Sequence, residues 1–241
     1  MSYLDIHSHI LPSIDDGAKT IEESIKLLMQ EKENGVTSVI CTPHFYAEAE
    51  TLESHIDKCN SAMQLVKSST SFKELPNIYL GHEVQYFTGI SRCQDLDKLC
   101  FEGTNILLLE LPFLSPLSNY MLTEIKSIDA NFGIKVIIAH LERYSSDRLF
   151  KNLLKLVKNG VVTAQVNADS LLNPITEKLT LKLIKKGLVS YIASDAHSSS
   201  DRPVLIENAL KKLRSKYLSN LVDIRKKNEN LEQIMKGEKN G

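Results

Sequence analysis

Short runs rich in β-branched and aliphatic residues alternate with longer amphipathic stretches from one end of the chain to the other. The runs predict strands over 3–9, 36–41, 77–83, 106–111, 134–140, 161–167 and 188–194. Apolar residues at helical spacing predict helices near 52–67, 119–131, 147–158, 176–186 and 203–216, the last with Pro203 at or near its first turn. A further helix, between the first two strands, carries its own start and stop signals. Thr20 and Glu23 form a capping box, Ile21, Ile25, Leu28 and Met29 share one face, and Gly35 terminates it. Strand and helix in steady alternation are the signature of a parallel α/β fold. Seven strands are enough to close a barrel.

From residue 218 onward Lys, Arg and Glu alternate with Leu and Ile, which predicts one more surface helix, fraying over 236–241. Two stretches break the rhythm. Residues 45–50 are acidic and aromatic, and 87–104 are polar and hold Cys93 and Cys100; loops that depart from such a repeat usually sit at the active face. With no internal repeat, low-complexity tract or linker, residues 1–241 are expected to form a single α/β barrel domain with a C-terminal helical tail from about 218.

Composition narrows the class. At 42% hydrophobic residues the chain can fill a large core, which excludes disorder as its main state. Its 29 basic residues against 30 acidic ones leave no positive surplus for a polyanionic backbone, so nucleic acid is not an expected partner. The N-terminus has no leader-like pattern and no apolar run approaches the roughly 20 residues that span a bilayer, so a cytoplasmic protein without membrane insertion is expected. Cys41, Cys59, Cys93 and Cys100 contain no C-x-x-C pair, and they read as ordinary thiols rather than a disulfide or cysteine–zinc framework.

Candidate chemistry lies at the strand ends. His7 and His9 are two residues apart, and period-two geometry turns both imidazoles to one side. His44, His140 and His197 also fall at or just after strand ends, as do Asp15 and Asp16 in the first loop, Glu83, Glu110 and Asp195. In a βα barrel those ends converge on one face. Burying so many ionisable groups without a cation would cost several kcal/mol each, whereas mixed nitrogen and oxygen donors suit divalent Zn, Mn or Fe. Three ions fit the number of donors better than one. Four carboxylates against three dications leave roughly two positive charges, a match for a phosphate monoester dianion. Arg143 and Arg202 add charge in the fork geometry that fits phosphate oxygens.

The residues resemble the polymerase and histidinol phosphatase (PHP) superfamily and, within it, the bacterial CpsB/YwqE-like protein-tyrosine phosphatases. The matching segments are Asp5-Ile-His-Ser-His-Ile10, Asp15-Asp-Gly-Ala-Lys-Thr-Ile-Glu-Glu-Ser24, Thr42-Pro-His44, Gly81-His-Glu83, Ile138-Ala-His-Leu-Glu-Arg-Tyr144 and Ala193-Ser-Asp-Ala-His197, followed by Asp201-Arg-Pro203. The resemblance implies a distorted (β/α)7 barrel with three divalent metal ions, often Mn²⁺, held by His7, His9, Asp16, His44, Glu83, Glu110, His140, Asp195 and His197. Glu83 is then a bridging ligand, and Arg143 and Arg202 bind phosphate. It further implies a phosphotyrosine substrate on the C-terminal tail of a bacterial tyrosine autokinase of capsular or exopolysaccharide synthesis. One departure is Phe45-Tyr-Ala-Glu48, where relatives often have a basic or histidine residue straight after the Thr-Pro-His histidine.

Ions of this kind would lower a water's pKa toward ~7 for in-line attack on phosphorus. None of the four cysteines has an arginine six residues later, so a phosphocysteine route is not expected. Several neighbours read as bystanders. His55 is expected on a helix surface and His82 either in packing or behind the ligands as their support, Glu142 as an ion-pair partner, Tyr144 as packing, and Asp5 either as a support for a ligand imidazole or as a strand-edge polar residue. Rival readings are a small-molecule phosphatase such as histidinol-phosphate phosphatase, a non-catalytic phosphoprotein-binding scaffold and an amidohydrolase. The last usually bridges its metals with a strand-end lysine, where this chain has Glu83 and Glu110.

Overall fold

A computed structural model describes residues 3–69, 74–113 and 115–237, so the end of the predicted fraying segment, 238–241, lies outside the described residues. Its strands are β1 (Leu4–Ser8), β2 (Ser38–Cys41), β3 (His44–Phe45), β4 (Asn77–Leu80), β5 (Glu83–Gln85), β6 (Ile106–Glu110), β7 (Lys135–Ile138), β8 (Thr163–Asn167) and β9 (Tyr191–Ala193). All pair in parallel. The nine strands arise from the seven predicted runs. The second run resumes as β3 after Thr42-Pro43, where proline has no N–H to donate. The third breaks at Gly81-His82 into β4 and β5.

Strand order is β1-β2-β4 in one sheet and β3-β5-β6-β7-β8-β9 in the other. Because β2 leads into β3 and β4 into β5, the two sheets are parts of one curled surface. A bridge between Ser8 and Ala196 brings the end of β1 to the far side of β9, which gives the distorted βα barrel that the alternation predicts. Register also places His44 directly opposite Glu83.

The helices are α1 (Ile21–Glu33), α2 (Leu52–Ser68), α3 (Asn119–Phe132), α4 (Phe150–Lys158), α5 (Glu177–Lys185), α6 (Ile206–Lys216) and α7 (Leu218–Met235). The Thr20 hydroxyl caps α1 by accepting from the Glu23 amide. The buried face of α1 is nevertheless rotated from the expected one: Ser24, Leu27, Leu28 and Glu31 face inward, while Met29 is 49% exposed. Glu31 is drawn in beside Asp5, with which it shares a hydrogen bond, and lies 3.3 Å from Ser194 Oγ at the end of β9. Between β5 and β6, the 87–104 stretch forms 3₁₀ turns at Ile90–Arg92 and Leu96–Leu99. Its apolar residues anchor it in the core, with Ile90, Leu96 and Leu99 fully buried, and only its first residues, Phe87 and Thr88, border a groove near the candidate site. Glu124 of α3 holds this stretch in place by accepting from Tyr86 Oη (2.6 Å), Ser91 Oγ (2.9 Å) and the Gly89 amide (3.1 Å).

The tail helix is the expected surface helix, but one of its faces is built into the barrel. α7 buries Leu221, Ile224, Asn228, Leu231 and Glu232. The Asn228 side chain accepts from the Leu4 amide (2.8 Å) and donates to the Leu4 carbonyl (2.6 Å), and Glu232 accepts from Ser38 Oγ (2.7 Å). It thus seals the starting ends of β1 and β2 and leaves the finishing ends open for chemistry. Among the described residues no helix is long and apolar enough to cross a membrane.

Candidate metal centre

All nine expected ligands meet at the finishing ends of the strands. His7 lies in β1 and His9 just beyond it, His44 opens β3, Glu83 opens β5, Glu110 ends β6, and His140, Asp195 and His197 follow β7 and β9. His7 Nε2 and His9 Nε2 face each other at 3.2 Å, as the alternation requires. Glu83 is the hub. Its Oε2 lies 3.1 Å from His7 Nε2, 3.3 Å from His9 Nε2 and 3.1 Å from His44 Nδ1, while its Oε1 lies 2.9 Å from His140 Nε2. Asp195 Oδ1 reaches His7 at 3.4 Å and His9 at 3.5 Å; Glu110 reaches His140 at 3.4 Å.

These donors form three groups that could each hold an ion: His9, Asp16, His44 and His197; His7, His9 and Asp195; and His44, Glu83 and Glu110. His44 serves two of them through different nitrogens. A neutral imidazole has one free lone pair, so it can serve only one ion at a time. The buried nitrogens His44 Nδ1 and His197 Nε2 lack any hydrogen-bond partner. Lone pairs left unmatched inside a polar cluster fit cation ligands.

The two aspartates of the first loop separate cleanly. Asp16 Oδ1 lies 3.4 Å from His197 Nε2 and 3.5 Å from His44 Nε2, facing the cleft. Asp15 sits behind: it accepts from His9 Nδ1 (2.7 Å) and from the His44 and Gly17 amides. Its position depends on Gly17, where an added Cβ would run into the His9 carbonyl oxygen.

Electrostatics follow the crowding. Burial opposes ionisation of Glu83, but His7, His140 and His9 hold its carboxyl well below the usual range. Burial likewise opposes ionisation of Asp195, and His7, His9 and Arg143 outweigh it. Burial disfavours a charged His140, yet Glu110 and Glu83 raise it to about 9; His197, buried and beside the charge of His9, falls to about 3. His140 (φ 31°) and Asp195 (φ 51°) both adopt left-handed backbone conformations, a strain concentrated where the chain turns its donors into the cleft.

Arg143, in the 3₁₀ turn Leu141–Tyr144, and Arg202 converge on Asp195 Oδ2 at 2.7 and 2.8 Å. They line a cleft of about 440 Å³ together with Asp16, Tyr46, Glu110 and Phe113. Phe113 stacks on Tyr144 (centroids 5.5 Å apart, 8° between planes) with Arg143 5.7 Å from its centroid, and Tyr46 stacks on His44 at 5.1 Å.

Several supports differ from expectation. Asp5 binds no imidazole and is no edge residue: fully buried, it accepts from the His7 and Ser194 amides and from Ser194 Oγ, tying β1 to the end of β9. Gln165 does the orienting instead, with Oε1 3.3 Å from His7 Nδ1 and accepting from the His140 amide at 2.7 Å. Asn167 donates to Asp195 Oδ2 at 2.6 Å. These two residues were legible as polar side chains at alternate positions of an otherwise apolar strand end. Glu142 caps the Asn167 amide (3.0 Å) instead of forming an ion pair. His55 is fully buried and not on the surface, because α2 turns it toward His82.

Known proteins resemble this chain in sequence and in fold. CapC of Staphylococcus aureus is 33% identical over 225 residues, covering 89% of this chain and 85% of its own. Tyrosine-protein phosphatase YwqE of Bacillus subtilis is 30% identical over 230 residues, covering 90% and 86%. In a crystal structure from the pair YwqE of Bacillus subtilis and CpsB of Streptococcus pneumoniae, both metal-dependent tyrosine phosphatases, a chain 27% identical matches with a TM-score of 0.79 over 98% of this chain and 95% of its own. Histidinol phosphate phosphatase of Lactococcus lactis, 14% identical, shares the fold (TM-score 0.56, covering 91% and 94%). The profile of the CpsB/CapC family of capsular polysaccharide synthesis matches residues 3–236, and the chain belongs to that family.

Proposed function

We propose that the protein is a metal-dependent protein-tyrosine phosphatase. Its substrate in this reading is the tyrosine-phosphorylated C-terminal tail of a bacterial tyrosine autokinase that controls capsular or exopolysaccharide synthesis, met in the cytoplasm. The observation that carries it is the convergence of nine metal-type donors and two arginines on one cleft rimmed by exposed aromatic rings.

In this reading His7, His9, Asp16, His44, Glu83, Glu110, His140, Asp195 and His197 hold three divalent ions, Mn²⁺ foremost, with Glu83 shared between them. Bound ions supply Lewis acidity and lower the pKa of water toward neutrality. The rest falls to the chain. Each guanidinium spends one amino group on Asp195 and keeps further N–H donors, so Arg143 and Arg202 can grip the phosphate oxygens without releasing Asp195. Phe113, 48% exposed, and Tyr46 would flank the phenyl ring. The peptide would leave through the adjoining groove of about 410 Å³, which shares Tyr46, Gln85 and Pro112 with the cleft. An aromatic mouth opening into a groove favours a phosphotyrosyl peptide over a small phosphate ester.

The test is phosphate release from a phosphotyrosyl peptide by the protein with Mn²⁺, with and without EDTA, beside histidinol phosphate as competitor. Turnover of the peptide that EDTA abolishes is expected. Equal rates with and without chelator would end the reading.

A further inference from the structure

A second group of metal-binding side chains lies outside the cleft. His55 and Cys59 are four residues apart on α2, so they share one face, and both are fully buried. Against them packs His82, from the break between β4 and β5. His55 Nε2 lies 2.9 Å from His82 Nδ1, and Cys59 Sγ lies 3.6 Å from His55 Nε2. One donor atom from each residue falls within 4.8 Å of the others. A tetrahedral site with bonds of about 2.0–2.1 Å to nitrogen and 2.3 Å to sulfur sets its donors roughly 3.4–3.6 Å apart. Small side-chain shifts therefore suffice to seat an ion.

The surroundings are those of a built site. Glu50 Oε1 accepts from His55 Nδ1 at 2.9 Å, which leaves the Nε2 lone pair directed at His82 and Cys59; a carboxylate behind a ligand imidazole is the usual support of a metal site. Lys58 steadies Glu50 at 2.8 Å, and Phe45 covers the His55 ring at 5.0 Å. His82 also borders a cavity of about 660 Å³ that runs past Asn60, Gln64, Lys98 and Glu102. That cavity offers an entry path and room for a water as fourth ligand. A hydrogen bond between the two imidazoles would account for the histidines alone. Cys59 lies on the same buried face of α2 as Ala62, Met63 and Val66, and its Sγ is directed at His55 Nε2.

We propose that His55, Cys59 and His82 form a second metal site, chemically distinct from the nitrogen–oxygen cluster, which takes one Zn²⁺ completed by a water from the cavity. Sulfur decides the metal: thiolate selects zinc over the harder Mn²⁺ or Mg²⁺. Loading exchanges a proton for the ion, so Cys59 S–H plus Zn²⁺ gives Cys59 S–Zn⁺ and H⁺ released to solvent. The ion would clip α2 to the strand break directly before Glu83, and so brace the backbone of the hub carboxylate.

The experiment is titration of the chelator-stripped full chain with Co²⁺, a spectroscopic substitute for zinc. A near-ultraviolet thiolate-to-cobalt charge-transfer band whose final amplitude corresponds to one cobalt–thiolate bond per chain is expected, and the nitrogen–oxygen cluster, which also takes up Co²⁺, cannot produce it because it contains no sulfur. Cys59→Ser and His55→Gln should each abolish the band, the second while keeping all four thiols. After incubation with excess Zn²⁺ and desalting, which fills the nitrogen–oxygen cluster equally in both proteins, elemental analysis should find one more zinc per chain in the wild type than in Cys59→Ser. No band in the wild-type protein, or one that survives in Cys59→Ser, overturns the proposal.

Discussion

Asp195 carries the most conflicting demands of any side chain in the cleft. One carboxylate oxygen faces His7 and His9, and the other takes Asn167, Arg143 and Arg202. It thus couples the metal donors to the groups assigned to substrate, and that division of labour can be tested. Arg202→Ala is predicted to lower the phosphatase rate by about 10²-fold, the scale of losing one charge-stabilising donor, with metal content near wild type. His9→Ala should lose metal, since His9 belongs to two of the three donor groups. Elemental analysis beside rate measurement separates the two, and equal metal loss in both variants would overturn the assignment of Arg202.

α3 shows how an element far from the chemistry shapes the groove beside it. Glu124 replaces a missing helix between β5 and β6 with a carboxylate staple on Tyr86, Gly89 and Ser91. Burial opposes its ionisation, but those three donors win and hold its pKa below the ordinary value of 4.5. The sign follows: the folded state prefers the ionised carboxyl, so its stabilising contribution is complete above pH ~4.5 and is lost as pH falls through the depressed folded value. Glu124→Gln is predicted to cost about 1–3 kcal/mol at pH 7, and less as the pH is lowered below ~4. Urea unfolding across pH 3–7 checks it; a penalty independent of pH would sink the ionic account.

Viewed whole, the barrel is open where the donors gather and shut at the opposite rim by α7. Asn228 there completes the hydrogen bonds of the Leu4 amide and carbonyl at the start of β1. Removing it strands two buried backbone groups. Asn228→Ala should therefore lower the denaturation midpoint by an amount equivalent to about 2–3 kcal/mol, without changing metal content in the protein that remains folded. An unchanged midpoint would mean that α7 packs on the barrel without sealing it.

Much of this was readable along the chain, because it depends on near neighbours. Period-two and period-3.6 patterns, the Thr20 cap and the recurrence of His, Asp and Glu at strand ends are local properties, and they led to the barrel and to the strand-end donors that meet in it, while the family resemblance supplied the choice of Asp16 over Asp15. Other features depend on residues distant in sequence. Asp15 and Asp16 are adjacent and alike, and only the approach of His9 to one and His197 to the other separates them. His55 sits in an ordinary amphipathic helix until His82, 27 residues on, arrives against it. The tail looks solvated until Leu4 and Ser38 draw Asn228 and Glu232 inward. Local patterning sets which segments can form and which faces are apolar. Which polar group is buried, and against whom, is fixed when folding brings remote partners close enough to repay its lost hydration.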